Sequence, residues 1–246
     1  MSRLSDLVHF YALLDRLKQH LSGTRTLATL DSFREPPNRG VYFFFEPLEI
    51  RKESGDGPRV VRVGTHALTT GSRSTLRQRL IQHRGQASGL GNHRGSIFRL
   101  LVGQALLARG GSNPCSSWGV KGDITQASIA LKASRDSLAT HEAPVERHVS
   151  KYIGSMPFLW LDVGDEPGPN SLRGVIERNA IALLSNYQRP AIDLPSHGWL
   201  GNASNRSLVR GSGLWNQRHV EEAHDPAFLV SVERAIEQTA MGVDRF

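Results

Sequence analysis

Cysteine is almost absent: Cys115 is the single one in 246 residues. One thiol excludes an internal disulfide framework and any cysteine-rich zinc module. No stretch approaches the ~18 consecutive apolar residues that a membrane-spanning helix requires. Asp6 and Asp15 interrupt the apolar N-terminal segment, which a secretory leader does not tolerate. These absences predict a cytoplasmic protein without a membrane partner. Lysine is scarce beside arginine, and neither an internal repeat nor a low-complexity tract breaks the chain.

What is present supports a folded, basic protein. Hydrophobic residues make up 39% and charged residues 22%, a balance that builds a packed core. Lys plus Arg number 30 against 23 Asp plus Glu, a net charge of +7. Such a balance favours a polyanionic partner, because each neutralised phosphate releases counterions. The arginine bias suits bidentate phosphate contacts and equally suits a GC-rich genome.

Leu4, Leu7, Val8, Tyr11, Leu14, Leu17 and Leu21 recur at helical spacing, so residues 4–21 read as an amphipathic helix ended by Gly23. The β-branched and aromatic run Gly40–Glu46 reads as a buried strand, and Val60–Val63 as its hairpin partner. A short helix over 75–84 follows, with Ser74 as its cap. Residues 96–108 and a segment ending near Tyr152 are helical, Pro144 standing in the first turn of the latter. Met156–Val163 is a third strand. Ser171 caps a helix reaching about Tyr187, residues 188–218 are mostly loop, and Asp225-Pro226 opens a last helix to about Met241.

The order is therefore a hairpin, a helix bearing Arg79 and His83, an insertion, a strand, and a helix bearing Glu177. Gly40-Val41-Tyr42, then Arg62-Val63-Gly64, then Arg79 and His83 within Leu76–His83, and then Glu177 resemble the GIY-YIG nuclease pattern. The Arg-x-x-x-His pair is most similar to the restriction-endonuclease branch of that superfamily. Excision-repair incision domains and some homing endonucleases belong to it as well. The resemblance covers roughly residues 38–84 and 156–193. It implies an α+β fold, a small three-stranded antiparallel sheet flanked by helices. A mostly helical insertion over 85–150 and a C-terminal elaboration over 194–246, ending in a helix, would complete a single domain over 1–246.

The resemblance also implies an activity: metal-dependent hydrolysis of a DNA phosphodiester, in restriction, defence or repair. Double-stranded DNA is the expected partner and Mg2+ or Mn2+ the expected cofactor. Tyr42 is implied to activate the attacking water; a tyrosine of the core or sheet face is the lesser reading. A phenol, with an ordinary pKa near 10, is a poor base at neutral pH unless cations favour its ionised form. Arg62 stands where the family pattern has a second tyrosine. It either supplies such a cation or is an exposed strand residue. Arg79 and His83, four apart, share one helix face: Arg79 neutralises charge on the phosphorane, His83 donates to a phosphate oxygen or takes the water proton through Tyr42, or both form a basic surface.

Glu177 falls on the apolar side of its helix, where a carboxylate needs a cation. That cation is either a metal or Arg173 at i−4. One carboxylate cannot hold a metal alone, but Mg2+ keeps several waters and takes substrate phosphate oxygens as ligands. Arg84, His93, Arg94 and Arg99, clustered at the start of the insertion, are candidate DNA contacts. So are Asn202, Asn205 and Arg218 in the late loops, side-chain types that read base edges. The asparagine that usually completes the family's site is left among Asn186, Asn202, Asn205 and the position of Asp193. A protein that binds nucleic acid without cutting it, on the same scaffold, is the rival reading.

Overall fold

The computed structural model describes residues 2–32, 36–111 and 115–243. The fold is α+β. Four antiparallel strands lie in the order β1-β4-β2-β3: β1 (Arg25–Thr26), β2 (Gly40–Ile50), β3 (Pro58–Gly64) and β4 (Pro157–Asp162). The α-helices among the described residues are α1 (Arg3–His20), α2 (Leu76–Arg84), α3 (Ile97–Gly110), α4 (Ile124–Leu131), α5 (Arg135–Ser155), α6 (Leu172–Leu184), α7 (Ser207–Ser212) and α8 (Phe228–Val243). None is long and apolar enough to cross a membrane.

The unbroken run Val41–Phe45 on β2 follows from the layering. Alternate side chains on a strand face opposite ways, so a run without polar residues needs cover on both faces. On one face the Phe43 ring meets Phe10 of α1 at 5.8 Å, and α6 and α8 pack beside it. On the other, Phe44 meets Phe98 of α3 at 5.5 Å. A phenylalanine so enclosed contributes roughly 1.5–3 kcal/mol, and its truncation to alanine costs about 3–5 kcal/mol.

The two motif glycines are steric necessities. A Cβ on Gly40 would stand 2.3 Å from the Leu161 carbonyl oxygen of β4. One on Gly64 would stand 2.2 Å from the Tyr42 hydroxyl across the hairpin, where Tyr42 and Gly64 are register partners. Only glycine lets the phenol lie there.

The structure departs from the sequence reading in places. β1, too short to show a pattern, adds a fourth strand against β4. The α2 cap is Thr75 rather than Ser74, in a reciprocal capping box with Gln78. α5 begins at Arg135 behind the cap Ser134, which leaves Pro144 inside the helix instead of in its first turn. Pro144 cannot bond the Thr140 carbonyl, but both residues are exposed and water can take its place. The stretch expected to be loop contains α7, and the last helix starts at Phe228, beyond Asp225-Pro226.

The C-terminal segment is pinned to the hairpin. Buried Glu46 accepts hydrogen bonds from Trp199 Nε1 (3.1 Å), Trp215 Nε1 (2.8 Å) and the Tyr152 hydroxyl (2.6 Å). Trp215 N donates to the Val61 carbonyl at 2.7 Å, and the Asn216 amide bonds both backbone groups of Val63. The outer edge of β3 is thereby closed, and residues 216–219 are held at its end.

Candidate active site

Beyond the end of β3 lies a cleft of about 600 Å³, lined by Arg62, Thr65–Leu68, Arg79 of α2, Ile97 of α3, Glu177 and Ile181 of α6, and Trp215–His219. Three candidates distant in sequence, Arg62, Arg79 and Glu177, meet there, and Arg218 is exposed on its rim.

Glu177 accepts a hydrogen bond from Thr65 N at 3.2 Å. Burial raises its pKa, opposed by the charges of Arg62, His219 and Arg79 and by the Thr65 amide. Arg173 is not its partner: that guanidinium is buried with Nε 2.6 Å from Asp165 and Nη2 on the Ala67 carbonyl. No described ion pair includes Glu177. Its carboxylate lines the cleft with the Thr65 amide and the charges of Arg62, His219 and Arg79, but no ion pair, to offset its desolvation.

Arg62 is buried, not an exposed strand residue. Its guanidinium lies 4.7 Å over the Phe98 ring and donates to the Trp215 carbonyl. Burial lowers its pKa, and Tyr42 and Glu177 oppose that fall. Arg79 donates to Gln82 at 2.9 Å. The Nε atoms of Arg62 and Arg79 and Nε2 of Gln217 are buried with no partner among the described residues.

Tyr42 and His83 lie behind the cleft. Both are fully buried, and the Tyr42 hydroxyl sits 2.8 Å from His83 Nε2. On the other side His83 Nδ1 is 2.9 Å from the Ser96 hydroxyl, which also caps α3. Burial, with Arg79, Arg62 and Arg99 nearby, holds the imidazole well below the usual histidine range and hence neutral. Of the two partners open to His83, a phosphate oxygen or Tyr42, the ring enclosed by Phe44 and Phe98 meets Tyr42.

The insertion residues expected to face DNA are mostly committed to the fold. Arg99 is fully buried between Glu146, Ser150 and the His83 carbonyl, and His93 bonds Glu146 at 3.0 Å. Arg94 grips Glu142 with both terminal nitrogens at 2.6 and 2.7 Å, and Arg84 pairs with Asp31. For Arg94 and Arg99 the reason is α5: its inward Glu142 and Glu146 must be neutralised, and these two guanidinium groups do it. Asn202 holds the Ser196 and His197 carbonyls, and exposed Asn205 is no part of the cleft lining. Asp193 is buried against Lys52–Ser54, and Asn186 binds Arg3 and Ile192.

A family model described as the GIY-YIG domain matches residues 1–242. The chain belongs to the GIY-YIG family. GIY-YIG is a nuclease family, and its match reaches well past the motifs, through the insertion and the C-terminal segment that closes the cleft. Comparisons with curated proteins and with solved structures give no match. Family members generally use a divalent metal. The donor set fits one: an unpaired, desolvated carboxylate opens onto a cleft roomy enough for waters and phosphate oxygens as the remaining ligands. Of the cleft's walls, Asn216, Gln217 and His219 read in the sequence as part of a loop that contacts bases, not as neighbours of Glu177 and Arg62. Their polar cluster after Trp215 was the available signal, but nothing local says that Glu46 pins that tryptophan.

Proposed function

We propose that this GIY-YIG protein is a metal-dependent endonuclease acting on double-stranded DNA. The observation that carries the reading is Glu177, a desolvated carboxylate without an ion-pair partner, in one cleft with two arginines that retain unpaired N–H groups. A scissile phosphate brings the negative charge the arginines lack, and Mg2+ or Mn2+ the positive charge that Glu177 lacks. Bound metal supplies Lewis acidity at the phosphate and charge stabilisation at the leaving oxygen.

The protein's own groups do the rest. Arg79 and Arg62 stabilise the charge that develops on phosphorus in the transition state, the dominant requirement of phosphoryl transfer. Tyr42 activates the attacking water from behind Gly64: its oxygen takes the water's proton as its own hydroxyl proton passes to His83 Nε2, 2.8 Å away. His83, kept neutral by burial, offers the lone pair that receives it and fixes the hydroxyl's direction. Arg218 on the rim grips the DNA backbone.

Magnesium-dependent nicking of supercoiled plasmid, abolished by chelation and leaving 5′-phosphate and 3′-hydroxyl ends, is the expected result. A protein that binds the plasmid tightly and never nicks it, with any divalent metal, would establish the rival reading of a non-cleaving binder. Arg62 in the place of a tyrosine is what favours that rival.

A further inference from the structure

No tyrosine lines the cleft, because Arg62 holds the place of the second phenol. The cleft does contain a group that neither the motif nor the reaction above uses. His66, two residues past Gly64, lines it while only 6% exposed. Its Nδ1 lies 3.1 Å from the Ser74 carbonyl. A carbonyl only accepts, so in the neutral ring Nδ1 carries the proton and Nε2 the lone pair. Among the described residues Nε2 has no partner, although it is buried. Burial and the charges of Arg173, Arg39 and Arg79 lower the His66 pKa to about 4, so the ring is neutral at physiological pH.

A buried acceptor without a donor costs about 1–3 kcal/mol, so such an atom at a cleft wall points to a ligand. The ligand must bring a hydrogen. A phosphate diester oxygen cannot, since it is itself an acceptor. A metal cation is better served by Glu177, whose carboxylate offsets the guanidinium charges around the cleft. A water is a donor and is neutral, and hydrolysis needs one held in place.

We propose that His66 Nε2 accepts a hydrogen bond from the attacking water and so replaces the second tyrosine of the pattern. No bond to His66 forms or breaks; it fixes the direction of the water's lone pair toward phosphorus while Tyr42 handles the proton. The assignment rests on the nuclease reading above.

Three variants test it on the full chain with supercoiled plasmid and Mg2+. His66→Asn keeps an amide N–H near the Nδ1 position, where it can still donate to Ser74, but offers the cleft no acceptor. It is expected to fold with the wild-type thermal midpoint, to bind DNA unchanged, and to lose roughly 10²–10⁴-fold in kcat with KM unchanged. His66→Gln, whose amide oxygen falls near Nε2, should keep more of the rate. His66→Ala should be slow, and added imidazole should partly restore it, which a purely structural role would not allow. Wild-type nicking by His66→Asn overturns the proposal. So does loss of rate together with the thermal midpoint and without imidazole rescue. A raised Mg2+ half-saturation in His66→Asn at an unchanged maximal rate would make His66 a metal ligand and also overturn it. Failure of the wild-type protein itself to nick removes the nuclease reading first, and that result is separate from any difference among the variants.

Discussion

The Tyr42 hydroxyl and His83 Nε2 lie 2.8 Å apart, both wholly inside the protein, and this one bond joins the central strand to α2 at the back of the cleft. Ser96 continues the chain on the far side of the imidazole, at 2.9 Å from Nδ1. Each member has its partner fixed by the next, so the phenol has a single orientation. Tyr42→Phe should leave a folded protein that is less stable by about 1–3 kcal/mol, because the imidazole loses its partner. Its nicking rate should fall at every pH. His83→Gln, with an amide able to meet the phenol, should retain more activity than His83→Leu. Equal rates for those two would mean that His83 does not position Tyr42.

Glu177→Gln separates metal binding from folding. The carboxylate is held against a raised pKa by burial, so a neutral isostere should leave the thermal midpoint unchanged or higher. Magnesium-dependent cleavage should vanish, while DNA affinity stays the same or rises, since a negative group facing phosphate has gone. Retained cleavage in a chelator-sensitive assay would remove Glu177 from the metal site.

The sheet and the main helices were legible in the sequence because their signals are local. An unbroken apolar run such as Val41–Phe45 declares a strand covered on both faces, and Ser171 announces α6. Arg79, Arg62 and Glu177 were legible through motif spacing. Burial of arginine was not. Arg99 and Arg94 look like DNA contacts in sequence, and only the approach of α5, with Glu142 and Glu146 turned inward, assigns them to the core. The wall made by residues 216–219 was equally hidden, since Glu46 and Trp215 are 169 residues apart.

That correction changes what charge removal does. Arg99→Leu should destabilise the protein by about 3–5 kcal/mol, because buried Glu146 keeps only His93 on one oxygen and loses the guanidinium on the other. Arg218→Gln, at an exposed position, should leave the thermal midpoint alone. It should weaken DNA binding and reduce the salt dependence by about one unit of slope, the signature of one lost phosphate contact. An unchanged slope would place Arg218 off the DNA path.

Acid sensitivity follows from two of the buried histidines, His66 and His83. His66 has a folded-state pKa of about 4 and His83 one well below its ordinary 6.5, whereas both titrate normally once unfolded. The unfolded chain therefore binds more protons as pH falls below about 6.5, and stability should drop from there toward pH 4. Above pH 6.5 both rings are neutral in both states and the contribution is constant. Thermal midpoints measured across this window should fall less steeply for His66→Gln than for the wild type. Parallel curves would mean that His66 titrates alike in the folded and unfolded chains.

Arg62 is the remaining departure from the family pattern, and its surroundings separate two roles. Its stack on Phe98 and its bond to the Trp215 carbonyl are structural, and its place on the cleft wall is electrostatic. Arg62→Lys keeps the charge and loses the planar stack, whereas Arg62→Gln loses both. A charge acting on the transition state predicts that the glutamine variant loses about 10²–10³-fold in kcat. The lysine variant should then retain most of the rate despite a similar fall in thermal midpoint. If both variants lose stability alike and both cleave at the wild-type rate, Arg62 only anchors Trp215. The phosphate charge would then rest on Arg79 alone, and Arg79→Gln should by itself abolish cleavage.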